Sequence, residues 1–124
     1  MRISVEKTFE FHAAHYLPHH EGKCKNLHGH TYKLAVTVSG DVRSDWSPEA
    51  GMIMDFGKLK EIVNAKIINK YDHSNLNFHF ENPTAEVMAR KIFTVLQTEL
   101  PERVYLRSVR LYETPTSCAI VEDH

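Results

Sequence analysis

The chain has 124 residues and a formal net charge of −1, with 42% hydrophobic and 25% charged residues. This length predicts one domain, residues 1–124, and the composition is typical of a globular protein. The near-neutral charge argues against a nucleic-acid partner, and the short apolar runs argue against a membrane partner. There is no signal-peptide core, and two cysteines do not make a disulfide framework, so we expect a reducing, cytoplasmic setting.

The first two predicted elements are strands joined by a polar loop. Residues 2–15 carry apolar side chains mostly at odd positions, and this alternation places His15 on the apolar face of a strand. Residues 16–27 are turn-forming and polar, which predicts a loop. A second strand is predicted from 28 to 39, with apolar side chains at even positions, and His28 and His30 share that parity.

These parities predict where the three histidines lie. If the strands pair antiparallel, His15 falls opposite His28 or His30, and the three imidazoles meet at one end of the sheet. Three histidines with an open fourth position form the ligand set of a catalytic Zn²⁺ site. The alternative is a cluster of histidines whose hydrogen bonds are satisfied by one another and by the fold.

Two helices and two further strands follow. Asp55 is a good N-cap for a helix that runs to about Asn69, residues 70–83 form a second loop, and the stretch 82–84 begins another helix. The last segment predicts two short strands joined by a turn at 114–116. The order β-β-α-α-β-β predicts an α+β domain: a four-stranded antiparallel sheet with two helices on one face.

A thiol and an Asp–His pair are the next candidates for chemistry. Cys24, flanked by lysines, is suited to act as a base or nucleophile if its pKa is lowered by a metal or a cation, although it could be a bystander loop thiol. In the second loop, Asp72 and His73 are adjacent. A carboxylate that fixes the tautomer of a histidine makes it a competent general acid or base.

Glu113 continues an apolar parity in the third strand, which is an unusual place for a carboxylate. A buried carboxylate needs a partner that donates to both oxygens. That partner is either an internal arginine such as Arg110 or a ligand with two parallel N–H donors, such as the amino-pyrimidinone edge of a guanine or pterin.

Taken in order along residues 9–118, six motifs resemble the 6-pyruvoyl-tetrahydropterin synthase superfamily. They are Phe-His-Ala-Ala-His ending at His15, Cys24-x-x-x-His28-Gly-His30, Met54 to Lys60, Asp72-His73-x-x-Leu-Asn, Asn82 to Glu86, and Glu113-Thr114. The three-residue gap between Cys24 and His28 resembles the bacterial 6-carboxy-5,6,7,8-tetrahydropterin synthases of queuosine biosynthesis.

The resemblance implies roles for these residues. It implies that His15, His28 and His30 hold Zn²⁺, that Cys24 is the general base, and that Asp72 and His73 relay protons. It also implies that Glu113 anchors the pterin and that Thr84 and Glu86 line the pocket.

It further implies that the substrate is 7,8-dihydroneopterin triphosphate and that the products are 6-carboxy-5,6,7,8-tetrahydropterin, acetaldehyde and triphosphate. Lys23, Lys25, His19 and His20 are candidates for holding the triphosphate.

The implied fold is a T-fold, in which trimers close an oligomeric barrel and stack into hexamers with sites at subunit interfaces. The open edges of a four-stranded sheet independently predict a homo-oligomer joined edge to edge. Three alternative functions remain: a pyruvoyl-type synthase or dihydroneopterin aldolase-like lyase on the same site, a zinc hydrolase, and a non-enzymatic zinc or pterin binder.

Overall fold

The computed structural model, which describes residues 1–123, begins with two long antiparallel strands. β1 spans Ser4–His15 and β2 spans His28–Ser39. Their register pairs His15 with His28, which is one of the two pairings that parity predicted. The predicted register is therefore confirmed.

The first helix begins at a cap and changes its winding along its length. The Asp55 side chain accepts a hydrogen bond from the Gly57 amide, as predicted for an N-cap. Helix α1 spans Phe56–Val63, a π-helical stretch follows at Asn64–Ile68, and α2 adds a last turn at Asn69–Tyr71. The helical region therefore extends two residues beyond the predicted end.

The remaining long elements are one helix and a hairpin. Thr84 caps helix α3, Ala85–Gln97, through a 3.1 Å hydrogen bond from the Val87 amide to Thr84 Oγ1. Strands β4, Tyr105–Thr114, and β5, Ser117–Glu122, form the C-terminal hairpin.

The prediction of a four-stranded antiparallel sheet is wrong in one respect. The sheet has five strands in the order β3-β1-β2-β4-β5, because β3, Ser74–Asn75, pairs in parallel with β1 beside Ala13 and Ala14. A two-residue strand carries no alternation that a sequence could reveal. The sheet is therefore mixed, and the second predicted loop contains both this strand and a 3₁₀ turn at Leu76–Phe78.

One face of the sheet and the helices share a single core. In β1 and β2 most of the buried side chains are those of the predicted apolar parity, with Ala35 and Ser39 of β2 as exceptions. Phe11 and Tyr32 stack on this face with ring centroids 4.9 Å apart. Leu59, Met88 and Ile92 bring the helices against the same face. Within residues 1–123, none of the helices is both long and apolar enough to cross a membrane. The three histidines therefore lie at one end of the sheet, next to the end of the apolar core.

Candidate active site

Three imidazoles meet where β1 ends and β2 begins. His15, His28 and His30 each place one ring nitrogen within 4.8 Å of the other two. His15 is completely buried, and the other two are half-buried. The structure therefore brings the three predicted ligands together through the register of two strands.

Two backbone carbonyl groups fix the orientation of two of these rings. Nδ1 of His15 donates to the Pro83 carbonyl at 2.8 Å, and Nδ1 of His28 donates to the Asn26 carbonyl at 2.7 Å. A carbonyl only accepts, so each Nδ1 carries the proton and the neutral ring keeps its lone pair on Nε2. This arrangement is typical of histidines that bind a metal through Nε2.

The Nε2 atoms of the three histidines are placed so that a cation would fit between them. The Nε2 atoms of His15 and His28 are 3.1 Å apart, and in the neutral rings two lone pairs face each other. Nε2 of His30 is buried and has no hydrogen-bond partner within residues 1–123. A cluster of mutually satisfied histidines would leave no such atom, so the donor set fits a metal such as Zn²⁺ better than that alternative.

The electrostatics of His30 favour the neutral, metal-binding form. Burial lowers the pKa of His30 below its ordinary value, and the neighbouring His15 and His28 lower it further. The Glu113 carboxylate acts in the opposite direction on the same pKa. A histidine must be neutral to bind a metal, so the net direction keeps a ligand available.

Glu113 faces the imidazoles rather than an arginine. Its Oε1 lies 3.5 Å from Nε2 of His30, and its Oε2 lies 4.0 Å from Nε2 of His15. The side chain is 27% exposed, so one side of the carboxylate still reaches the cleft. The side chain predicted to anchor a pterin therefore lies directly beside the predicted metal ligands.

Cys24 lines the same cleft. It lies in a 3₁₀ turn, Lys23–Lys25, and is half-buried. The turn is held by a 2.8 Å hydrogen bond from the Leu17 amide to the Cys24 carbonyl. The cleft has a volume of about 680 Å³. Its lining comprises Lys23, Cys24, Asn26, Leu27, His28, His30, Glu113 and Thr114. One cavity thus joins a thiol, two of the imidazoles and a carboxylate.

Asp72 and His73 lie elsewhere, beside the outer edge of β1. Asp72 Oδ1 accepts a hydrogen bond from the His12 amide at 2.9 Å, and the His73 amide donates to the His12 carbonyl at 2.6 Å. The Asp72 carboxylate is 3.6 Å from Nε2 of His73, and the His73 side chain is 79% exposed. Within residues 1–123, neither residue lines the cleft that contains Cys24.

His73 adopts an unusual backbone conformation. Its φ is +57°, in the left-handed region that non-glycine residues rarely occupy. Asp72 before it is extended, with φ −62° and ψ 133°. This change of backbone direction lets two adjacent side chains approach each other, which a regular strand would prevent.

Thr84 directly follows Pro83, whose carbonyl accepts from His15, and Glu86 lies two residues further on. The Thr84 hydroxyl caps α3, and Glu86 is exposed in the first turn of that helix. Their predicted place in the substrate pocket stays a prediction.

Backbone groups are what sequence reasoning missed in this site. The carbonyls of Pro83 and Asn26 orient two imidazoles, and both main-chain groups of His12 hold the Asp72–His73 pair. No side-chain pattern marks a carbonyl acceptor. The only available signal was proximity to the motifs, since Asn26 and Pro83 fall inside two of them.

Comparison with known proteins defines the class of this protein. The 6-pyruvoyl tetrahydropterin synthase family matches residues 4–124, so the chain belongs to this family of enzymes. The relationship extends to the structure of 6-pyruvoyl tetrahydropterin synthase from Caenorhabditis elegans. That structure superposes with a TM-score of 0.82 and 29% identity, over 100% of this chain and 97% of the other.

Two curated relatives narrow the comparison. A 6-carboxy-5,6,7,8-tetrahydropterin synthase from Synechocystis is 43% identical over 118 residues, which cover 93% of this chain and 89% of the relative. A dihydroneopterin monophosphate aldolase from Pyrococcus furiosus is 38% identical over 113 residues, which cover 91% of each chain.

Proposed function

We propose that this protein is a zinc-dependent 6-carboxy-5,6,7,8-tetrahydropterin synthase. The reaction converts 7,8-dihydroneopterin triphosphate and water to 6-carboxy-5,6,7,8-tetrahydropterin, acetaldehyde and triphosphate, in cytoplasmic queuosine and 7-deazapurine biosynthesis. The observation that carries the proposal is the convergence of the histidines, Cys24 and Glu113 on one cleft, in a chain 43% identical to a synthase of that name.

His15, His28 and His30 would hold the zinc. Two observations support this assignment. Nε2 of His30 has no hydrogen-bond partner within residues 1–123, and the Nε2 atoms of His15 and His28 face each other. Zinc supplies, when bound, a Lewis acid that polarises oxygens of the substrate side chain. The Pro83 and Asn26 carbonyls keep the Nδ1 protons of two rings in place, which preserves the ligand geometry.

The cleft provides groups for the pterin and for proton transfer. Glu113 would accept two parallel N–H bonds from the pterin ring, which is the strongest way to hold that edge. Cys24, in the same cleft, would remove a proton from the substrate as general base. Thr84 and Glu86 would line the pocket nearby.

We assign the proton relay of Asp72 and His73 to a neighbouring subunit. β5 is one edge of the sheet, and most of β1 is the other. β1 and β5 run in opposite directions, because each of the pairings β1–β2, β2–β4 and β4–β5 is antiparallel. A neighbour's β1 added antiparallel to β5 would bring its Asp72–His73 end to the end of the sheet that carries Glu113.

The same contact between β1 and β5 predicts how the subunits assemble. Repeated β1-to-β5 contact continues one sheet around a symmetry axis and buries both open edges. We propose a homo-oligomer, a trimer or a dimer of trimers, in which each cleft is completed by the next subunit. Lys23 and Lys25, with His19 and His20, would hold the triphosphate at its mouth.

The second candidate function is a lyase of the aldolase type on the same site. The 38% identical relative named dihydroneopterin monophosphate aldolase favours it. Both candidate functions would use the same metal, thiol and carboxylate, so the products decide between them.

The test is to incubate the purified protein with 7,8-dihydroneopterin triphosphate and to identify the products by mass spectrometry. We expect 6-carboxy-5,6,7,8-tetrahydropterin and acetaldehyde, with turnover abolished by a chelator and restored by Zn²⁺. A 6-pyruvoyl or hydroxymethyl pterin product would instead identify a sister activity. Turnover that resists chelation would contradict the zinc mechanism.

A further inference from the structure

Glu113 occupies an irregular position in its strand. β4 pairs with β5 in one register through Tyr112 and in a register shifted by one residue at Thr114, so Glu113 is the extra residue of a β-bulge. A bulge redirects a side chain, and such bulges are common beside active sites. The bulge lies at the end of β4 where the carboxylate meets the imidazoles.

Glu113 approaches one imidazole at a distance that is typical of two ligands of one metal ion. In a tetrahedral zinc site with bonds of 2.0–2.1 Å, neighbouring ligand atoms are about 3.3 Å apart. Nε2 of His15 and Nε2 of His28 are 3.1 Å apart. Oε1 of Glu113 and Nε2 of His30 are 3.5 Å apart. Oε1 of Glu113 thus lies near Nε2 of His30 at about the separation expected of two ligands of one ion, and Oε2 lies 4.0 Å from Nε2 of His15.

The charge of Glu113 favours the same position. Three neutral imidazoles leave both positive charges of a zinc ion uncompensated, and a carboxylate is a common zinc ligand. A hydrogen bond from His15 does not account for this position, since its Nε2 lies 4.0 Å from the carboxylate, beyond hydrogen-bond distance.

We propose that Glu113 closes the fourth position of the metal centre in the substrate-free enzyme and gives it up when the pterin binds. The proposal rests on the proposed function, because it assigns one carboxylate two successive partners. The same two oxygens cannot face the metal and accept two parallel N–H bonds from a pterin. Pterin binding and opening of the metal centre are therefore coupled through one side chain.

The first test measures zinc affinity without any pterin, by competition with a chromophoric chelator. We expect Glu113→Gln and Glu113→Asp each to weaken zinc binding at least about tenfold, the low end of effects seen around metal sites. Glu113→Asp separates contact from charge, since it keeps the charge and withdraws the oxygens by one methylene. Glu122→Gln, an exposed carboxylate on β5, is the matched control and should leave the affinity unchanged.

The second test uses Co²⁺ in place of Zn²⁺, because its visible absorption reports the ligand set directly. Glu113→Gln should change the spectrum of the substrate-free protein. A simple ring without side-chain hydroxyls, 6-methylpterin, should produce a similar change in the wild type and none in Glu113→Gln. Circular dichroism of each variant excludes loss of the fold as the cause.

Variants that bind zinc as tightly as the wild type, with an unchanged cobalt spectrum, would overturn the proposal. That result would leave the proposed function intact, because Glu113 could still anchor the pterin. If the wild type bound neither metal, the zinc site itself would fail, and this inference with it. If metal affinity fell as expected and 6-methylpterin changed the wild-type spectrum, but no pterin product formed, only the proposed reaction would fail.

Discussion

At the scale of single residues, the identity of the side chain accounts for only part of the site. The position of His15 beside the other two histidines was predictable, because its parity in β1 fixes its face and the register fixes which residue of β2 lies opposite. The tautomer of its ring was not predictable. It depends on the Pro83 carbonyl, and Pro83 lies 68 residues after His15 in the sequence.

The thiol gives the sharpest prediction for a single residue. Cys24→Ala should lower kcat by about 10²- to 10⁴-fold, because it removes the proposed general base while the three histidines stay in place. Bound zinc, measured by inductively coupled plasma mass spectrometry, should remain at wild-type stoichiometry. Cys118→Ala, at an exposed thiol on β5, is the control and should keep full activity. Retained turnover in Cys24→Ala would favour the hydrolase alternative.

The two lysines beside Cys24 supply a second prediction at this scale. Changing Lys23 and Lys25 together to alanine should raise KM for the triphosphate substrate several-fold and leave kcat nearly unchanged, because in the proposed role they bind a part of the substrate that does not react. Removal of two exposed helix lysines, Lys60 and Lys91, controls for net charge. The same KM in both double variants would remove Lys23 and Lys25 from this role.

At the scale of the elements, Thr84 joins a helix to the site. Its hydroxyl caps α3, and the preceding residue, Pro83, supplies the carbonyl that orients His15. Thr84→Ala should lower the free energy of unfolding by about 1 kcal/mol, measured by urea denaturation, because the cap is lost. Thr84→Ser keeps the cap and should retain stability. The KM of Thr84→Ser then tests the predicted place of Thr84 in the pocket. Equal stability of Thr84→Ala and Thr84→Ser would contradict the capping role of the hydroxyl.

Long alternating strands were predictable, and short or irregular ones were not. Twelve-residue β1 and β2 carry enough alternation to set both the face and the register. β3 has only two residues, and the bulge at Glu113 depends on pairing with β5. Neither feature therefore produces a periodic pattern in the sequence. The parity of Glu113 did predict a carboxylate on the apolar face. Only the three-dimensional structure revealed that its partners are imidazoles and not Arg110.

At the scale of the whole molecule, the predicted site residues lie in two separate places. Cys24 lies in the cleft, whereas Asp72 and His73 lie at the edge of β1. The resemblance implied a shared site, but a single sequence cannot show how far apart two motifs lie. That separation follows from the sheet order, because Asp72 and His73 lie beside β1, whereas Glu113 and Thr114 bring the cleft to the end of β4.

Mixing inactive subunits tests the shared site. Cys24→Ala and His73→Ala should each be inactive alone, and co-expression should restore up to about a quarter of wild-type activity, since one interface in four receives both intact groups. Co-expression of Cys24→Ala with Cys24→Ser is the control and should restore none. Failure of complementation in a confirmed mixed oligomer would place the whole site within one subunit. A monomeric mass in sedimentation equilibrium would refute the assembly itself.

The loop between β1 and β2 begins directly after one predicted ligand and ends directly before another. The His28 ring ties this loop further, because its Nδ1 donates to the Asn26 carbonyl, one residue beyond Lys25. A metal that immobilises His15 and His28 should therefore protect the exposed Lys23 and Lys25 peptide bonds from trypsin. We expect chelation to accelerate cleavage there and zinc to reverse it, as followed by mass spectrometry of the fragments. Equal cleavage rates with and without zinc would mean that the metal does not restrain the loop that carries Cys24.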